Sequence, residues 1–161
     1  MHPAFSVIFF TVTSGAGYGL IALLCLFNFL YFGMLFDKTN FLIFSGVSVA
    51  LFTMGLISST FHLANPKNAW RAFMRFRTSW LAREGLLAIL FYPTLFLYLI
   101  LIYFDFYKEY FLIMQLYSIY IFFFAIVIIY CTGMIYACLK TIPQWNTIWT
   151  PINYITIGVY L

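Results

Sequence analysis

Long apolar runs that exclude charge dominate this chain, and they leave few folds open to it. Residues 4–36, 41–63 and 111–139 contain no Asp, Glu, Lys or Arg, and in 80–103 the only charges are Arg83 and Glu84 near the start. Each run reaches the ~20 residues a helix needs to cross the hydrocarbon of a bilayer. Only 7% of the 161 residues are charged, against about 25% in a soluble domain. So few charges cannot cover a water-facing surface. The fold class that follows is an all-α integral membrane protein, a transmembrane helix bundle of four spans plus the start of a fifth. The spans are expected near 4–36, 41–63, 80–103, 111–139 and from 151 to 161 onward, in one transmembrane domain. The first run lacks a basic n-region and is far longer than the ~7–15 residues of a signal-peptide core, so it reads as a span that stays.

The polar residues then become the informative ones. Five of the eight basic residues (Lys67, Arg71, Arg75, Arg77 and Arg83) fall in one stretch, FHLANPKNAWRAFMRFRTSWLAREG, between the second and third runs. The net charge of +4 therefore describes one loop and not a basic protein. A basic loop between spans meets anionic lipid or a docking protein, and nucleic acid is not an expected partner. Within it, residues 66–77 read as a short interfacial helix. Lys67, Arg71 and Arg75, four apart, form a basic stripe, and Ala69, Trp70, Phe73 and Phe76 form an apolar face. That stripe, with Arg77, serves as a lipid contact, as a docking surface for an acidic partner, or as both. By the positive-inside rule this loop and the N-terminus lie in the cytoplasm, unless the charge is there for a partner.

Inside the runs, Gly15, Gly17 and Gly19 suggest close helix approach, and such a groove can also make room for a flat ligand. They are not a nucleotide loop, since no strand precedes them. Asn28 is expected to face a neighbouring helix. Residues 37–40 are expected to form a turn. Ser58, Ser59 and Thr60 can bond back to helical carbonyls or to a ligand. Pro93 is expected to kink its span, and the segment TIPQWNTIWTP reads as interfacial. Cys25, Cys131 and Cys138 lie in apolar runs without metal-ligand spacing, although Cys131 and Cys138 can share a helix face. They read as small packing residues, and no metal site is expected.

His62 ends the second run and Glu84 opens the third, so antiparallel neighbours would bring both to one membrane face. Hydrocarbon disfavours the charged form of a carboxylate, and His changes charge near neutral pH. Such a pair can accept protons from a ligand or hydrogen-bond its carbonyls, and a quinone headgroup suits both. The plainer alternative is that His62 caps a helix and Glu84 pairs with Arg83. A haem held by two histidines would require His2 at the terminus, so no haem is expected. No HExxH, GxSxG or Walker motif occurs, and charge-free span centres argue against an ion-coupled transporter.

Three blocks carry a resemblance. MHPAFSVIFFT with SGAGYGL, then LISSTFHL with AWRAF and SWLAREG, then IYACLKTIPQWN with IWTPINY resemble the dimethyl sulfoxide reductase membrane anchor family, DmsC. The likeness runs over essentially the whole chain. It implies a bundle of eight helices, of which this chain resembles the N-terminal half, so the domain is expected to be incomplete. It implies a multi-pass subunit of the bacterial inner membrane that binds and oxidises menaquinol in anaerobic respiration. Electrons would pass to an iron–sulfur subunit beside a molybdopterin catalytic subunit, and those cofactors would sit on the partners only. It implies a quinol site built from the His of the HL motif, His62, and the Glu of REG, Glu84, with Glu84 as proton acceptor. The chain would thus be a non-autonomous quinol-oxidising subunit. The alternatives are a purely structural anchor without quinol chemistry, or a truncated fragment.

Overall fold

The computed structural model describes residues 5–31, 37–60 and 74–160. It is all helical across them: α1 (Phe5–Leu30), α2 (Lys38–Thr60), α3 (Trp80–Tyr103), α4 (Phe111–Ala137) and α5 (Trp149–Tyr160). The first four are long and apolar enough to cross a membrane, and a helix satisfies its own backbone hydrogen bonds where no water can.

Each helix is apolar on every side, so hydrophobicity does not tell core from lipid; residue size and polarity do. Bulky side chains such as Ile43, Leu97, Ile113 and Phe123 stay exposed on the lipid-facing surface, whereas Ser14, Asn28, Ser45, Ser48, Gln115 and Ser118 are buried between helices. Some of them join neighbouring helices. Ser48 donates to the Gly17 carbonyl (2.7 Å) and Ser118 to the Cys25 carbonyl (2.8 Å). Asn28 faces a neighbour, as expected, and donates to the Tyr98 hydroxyl on α3 (2.9 Å).

α1 is the hub. It packs against α2, α4 and α5, while α3 leans mainly on α4. Its glycines split by face. A Cβ at Gly17 would come within 2.6 Å of the Phe52 amide nitrogen on α2, and one at Gly19 would strike the Gly158 carbonyl on α5. Close helix approach is thus what these glycines provide.

α2 and α3 were expected to pack as antiparallel neighbours. They do run antiparallel side by side, but their backbones barely meet. Rings fill the space between them: Phe52 stacks on Tyr18 (4.7 Å between centroids) and meets Phe91 and Tyr92 edge-on (5.9 and 5.1 Å). A hydrogen bond of 2.7 Å joins Thr53 to Tyr92.

One boundary differs from the sequence reading: α1 runs to Leu30, with residues 32–36 outside the described residues, but Lys38, Thr39 and Asn40 form the first turn of α2 instead of a connecting turn. Asp37 starts that helix, its carbonyl accepting from the Phe41 amide (2.9 Å). α2 is described to Thr60, and residues 61–63 lie outside the described residues. α5 begins at Trp149, which puts Pro151 in its first turn, where a missing amide hydrogen costs nothing.

Residues 66–77 were expected to be helical. Most of that segment, with Lys67 and Arg71, lies outside the described residues, and its described end, 74–77, is a turn. Cys131 is buried in α4, whereas Cys138 is exposed at its end, so the two do not share an environment.

Two predictions arise here. Tyr98→Phe strands the buried Asn28 amide, and it is expected to lower stability by ~1 kcal/mol, the usual scale of a hydrogen bond between membrane helices, measured by denaturant titration in mixed micelles. The second concerns the end of the bundle away from Glu84. There Asp105 closes α3 in the left-handed region (φ 60°), and its carboxylate pairs with Lys38 at 2.9 Å. The Lys38 ammonium holds the Asp105 carboxyl below its ordinary range. A carboxyl depressed in the folded state stabilises above its unfolded pKa, and that contribution is lost as pH falls through the folded value. Thermal stability is therefore expected to fall more steeply below about pH 4 in the native protein than in Asp105→Asn, whose stability should be lower at neutral pH. Parallel pH profiles would refute the pairing's role.

Candidate functional site

Glu84 lies in the second turn of α3, and although it sits among apolar residues it is only 3% exposed. Its neighbour Arg83 turns the other way, because consecutive residues on a helix point to different faces. The Arg83 guanidinium stacks over Trp80 (4.2 Å to the ring centre) and donates to the Phe76 and Arg77 carbonyls at 3.0 and 2.7 Å. The expected alternative of an Arg83–Glu84 pair is therefore not what forms. Arg83 instead pins the turn that precedes α3, and Ser79 caps the helix by accepting from the Ala82 amide. Arg75 and Arg77 are exposed in that turn.

The partner of Glu84 is Thr132, on α4, whose hydroxyl donates to Glu84 Oε1 and also lies 3.2 Å from the Ile128 carbonyl. Tyr136 and Tyr154 are stacked, with 5.2 Å between ring centres. Among the described residues no cation pairs with the Glu84 carboxylate.

Beside this group is a cavity of about 230 Å³, lined by Thr11, Gly15 and Tyr18 of α1, Thr132 of α4 and Tyr154 and Gly158 of α5 among others. Thr132 is the link: it touches the cavity on one side and Glu84 on the other. Tyr18 is 1% exposed and its hydroxyl has no hydrogen-bond partner among the described residues.

His62 lies outside the described residues. α2 ends at Thr60 and α3 begins at Trp80, so the start of the connection that carries His62 is at the Glu84 end of the bundle. Among the hydroxyls near that end, Ser59 bonds back to the Leu56 carbonyl (2.7 Å). Thr132 and Tyr18 escape a sequence reading, because a Thr and a Tyr inside apolar runs carry no signal until the helices are assembled. Among the described residues no group of three His, Cys, Asp or Glu could hold a metal ion.

A bundle of membrane-spanning helices with a buried carboxylate near one end, beside a small cavity, defines a membrane-embedded subunit and not a soluble catalyst. The comparisons with known proteins give the family. A sequence model of the DMSO reductase anchor subunit (DmsC) family matches residues 1–160, and the chain belongs to that family. It is 31% identical over 175 aligned positions to a subunit of the sulfite dehydrogenase of Allochromatium vinosum, an alignment covering 98% of this chain and 52% of that protein. The chain thus spans about half the length of the curated relative it matches. No solved structure matches it.

Proposed function

We propose that this multi-pass membrane anchor binds a quinol at the Glu84 end of the bundle and oxidises it. The electrons pass to a docked iron–sulfur subunit and on to a molybdopterin catalytic subunit, in the cytoplasmic membrane of a bacterium respiring anaerobically. Menaquinol is the expected quinol. The observation that carries this reading is Glu84: a carboxylate buried in a membrane helix, with no cation beside it among the described residues, is costly to maintain and marks a site of function. Oxidation of a quinol releases protons and electrons together. Glu84 takes a proton, His62 hydrogen-bonds the ring oxygen, and the electrons leave through the partner. Lys67, Arg71, Arg75 and Arg77 form the basic surface that meets the partner or anionic lipid.

The name of the relative favours a second direction of flow. A sulfite dehydrogenase takes electrons from its substrate. In a complex of that kind the same site would reduce a quinone, and Glu84 would donate its proton.

Binding of a naphthoquinol to the purified protein, read by quenching of tryptophan fluorescence, tests the proposal. Saturable binding that weakens in Glu84→Gln supports it. Absence of binding to the native protein points to an anchor without quinol chemistry.

A further inference from the structure

The two ends of the bundle differ in charge. At the end away from Glu84, cations and carboxylates are mixed: Asp37, Lys38, Asp105, Lys108 and Glu109, with Lys38 and Asp105 paired. At the Glu84 end the exposed charges among the described residues are all cations: Arg75 and Arg77 in the turn before α3, and Lys140 after α4. None of the three forms an ion pair with a described residue. The described carboxylate at this end, Glu84, is buried against Thr132. The turn that carries the arginines is held in shape. The amides of Thr78 and Ser79 both donate to the Arg75 carbonyl at 3.0 Å, and Arg83 braces the turn from α3 through the Phe76 and Arg77 carbonyls. Large apolar side chains are exposed at the same end: Met74 (76%) and Phe76 in the turn itself, and Trp145, Ile148 (74%) and Trp149 on the way into α5. The described tryptophans, Trp80, Trp145 and Trp149, all lie at this end, and tryptophan favours the level of lipid headgroups.

Cations interleaved with exposed apolar side chains at the end of a spanning helix fit the boundary between headgroups and acyl chains. One phospholipid answers both needs, since its phosphodiester meets the cations and its chains cover the apolar groups. The charges also select among lipids. A zwitterionic lipid carries an ammonium beside its phosphate, and among the described residues no exposed carboxylate at this end can receive it. From this we infer that the turn before α3 is a binding site for an anionic phospholipid. Arg75 and Arg77 donate to its phosphodiester oxygens, and Met74 and Phe76 meet its acyl chains. Arginine suits the task because its planar group offers two N–H bonds to one phosphate. Lys140 adds positive potential at the same end. This rests on the basic surface proposed above, commits that surface to lipid, and does not depend on the quinol.

The test places the full chain in nanodiscs of equal phosphatidylglycerol, phosphatidylethanolamine and phosphatidylcholine. The protein is then moved to detergent, and the lipids that stay bound are weighed by native mass spectrometry. The native chain is expected to retain phosphatidylglycerol about twentyfold over either zwitterionic lipid, about fivefold for each arginine. Arg75→Gln and Arg77→Gln should each lower that preference about fivefold, and the double variant should abolish it. Thermal stability of the double variant in phosphatidylcholine alone should match the native chain, because neither guanidinium is ion-paired within the described bundle. Lys108→Gln, at the far end, should keep the full preference. Equal retention of the three lipids by the native chain would overturn the inference. So would a preference that falls as much in Lys108→Gln as in the arginine variants, which would make it an effect of net charge. A preference that survives the double variant would place the lipid elsewhere and leave the arginines to an acidic partner protein. Glu84→Gln is expected to keep the lipid preference whatever it does to quinol binding, so this inference and the quinol reading fail separately.

Discussion

Gly19→Ala is expected to unseat α5. A Cβ at this position runs into the Gly158 carbonyl, and backbone on both sides leaves no rotamer to relieve the collision. Overpacking of a filled core costs ~1–3 kcal/mol, and this site belongs at or beyond the upper end. The effect should be graded. Gly158→Ala places its methyl 3.3 Å from the Gly15 carbonyl oxygen and 3.3 Å from Ile129 Cδ1. The isoleucine arm can shift, so a smaller loss is expected, and Gly46→Ala should be neutral. Unfolding in mixed micelles and protease cleavage in residues 138–148 report the series. Equal stability across the three variants would contradict the helix contact. Loss in Gly19→Ala alone, with the segment before α5 newly cleavable, would place the defect at α5.

The second large effect is on chemistry. Glu84→Gln keeps the shape of the side chain and can still receive the Thr132 hydroxyl hydrogen on its amide oxygen, so the bundle is expected to assemble at near-native yield. On the proposed function, quinol turnover in the complex is expected to fall by about a hundredfold or more, the scale of losing a general base. Substrate reduction driven by an artificial donor that bypasses the membrane subunit should be untouched. Native turnover in this variant would remove Glu84 from the reaction. Failure to assemble would instead make its buried bond with Thr132 structural, a result that Glu84→Asp and Thr132→Ser would separate from catalysis.

How far the sequence carried the structure depended on whether polarity or proximity held the information. α3 runs over the predicted 80–103, and α4 begins at Phe111 as predicted, because charged turns flank both. The start of α2 was hidden, since the polar residues Lys38, Thr39 and Asn40 look like a turn. Asn28 was readable as an interhelical contact, because a lone amide in hydrocarbon must find a partner. The surroundings of Glu84 were not readable. Thr132 lies 48 residues away, and only the packing of α3 on α4 brings it there. Adjacency in sequence even misled, since Arg83 points to the opposite side. The separation of α2 from α3 by rings that meet edge-on was equally hidden, because Phe52 and Phe91 look like any other aromatic residue in these runs.

The pairing of α1 with α5 also has a consequence in time. Gly19 and Gly158 are about 140 residues apart, and a ribosome adds ~5–20 residues per second. For about 7–28 seconds after α1 emerges, at that rate, its glycine face has no helix to receive it. During that interval α1 can already pair with α2 and α4, but the wall of the cavity supplied by Tyr154, Ile157 and Gly158 does not yet exist. A nascent chain stalled before α5 should therefore hold a bundle of four helices, with the Gly19 face filled by lipid.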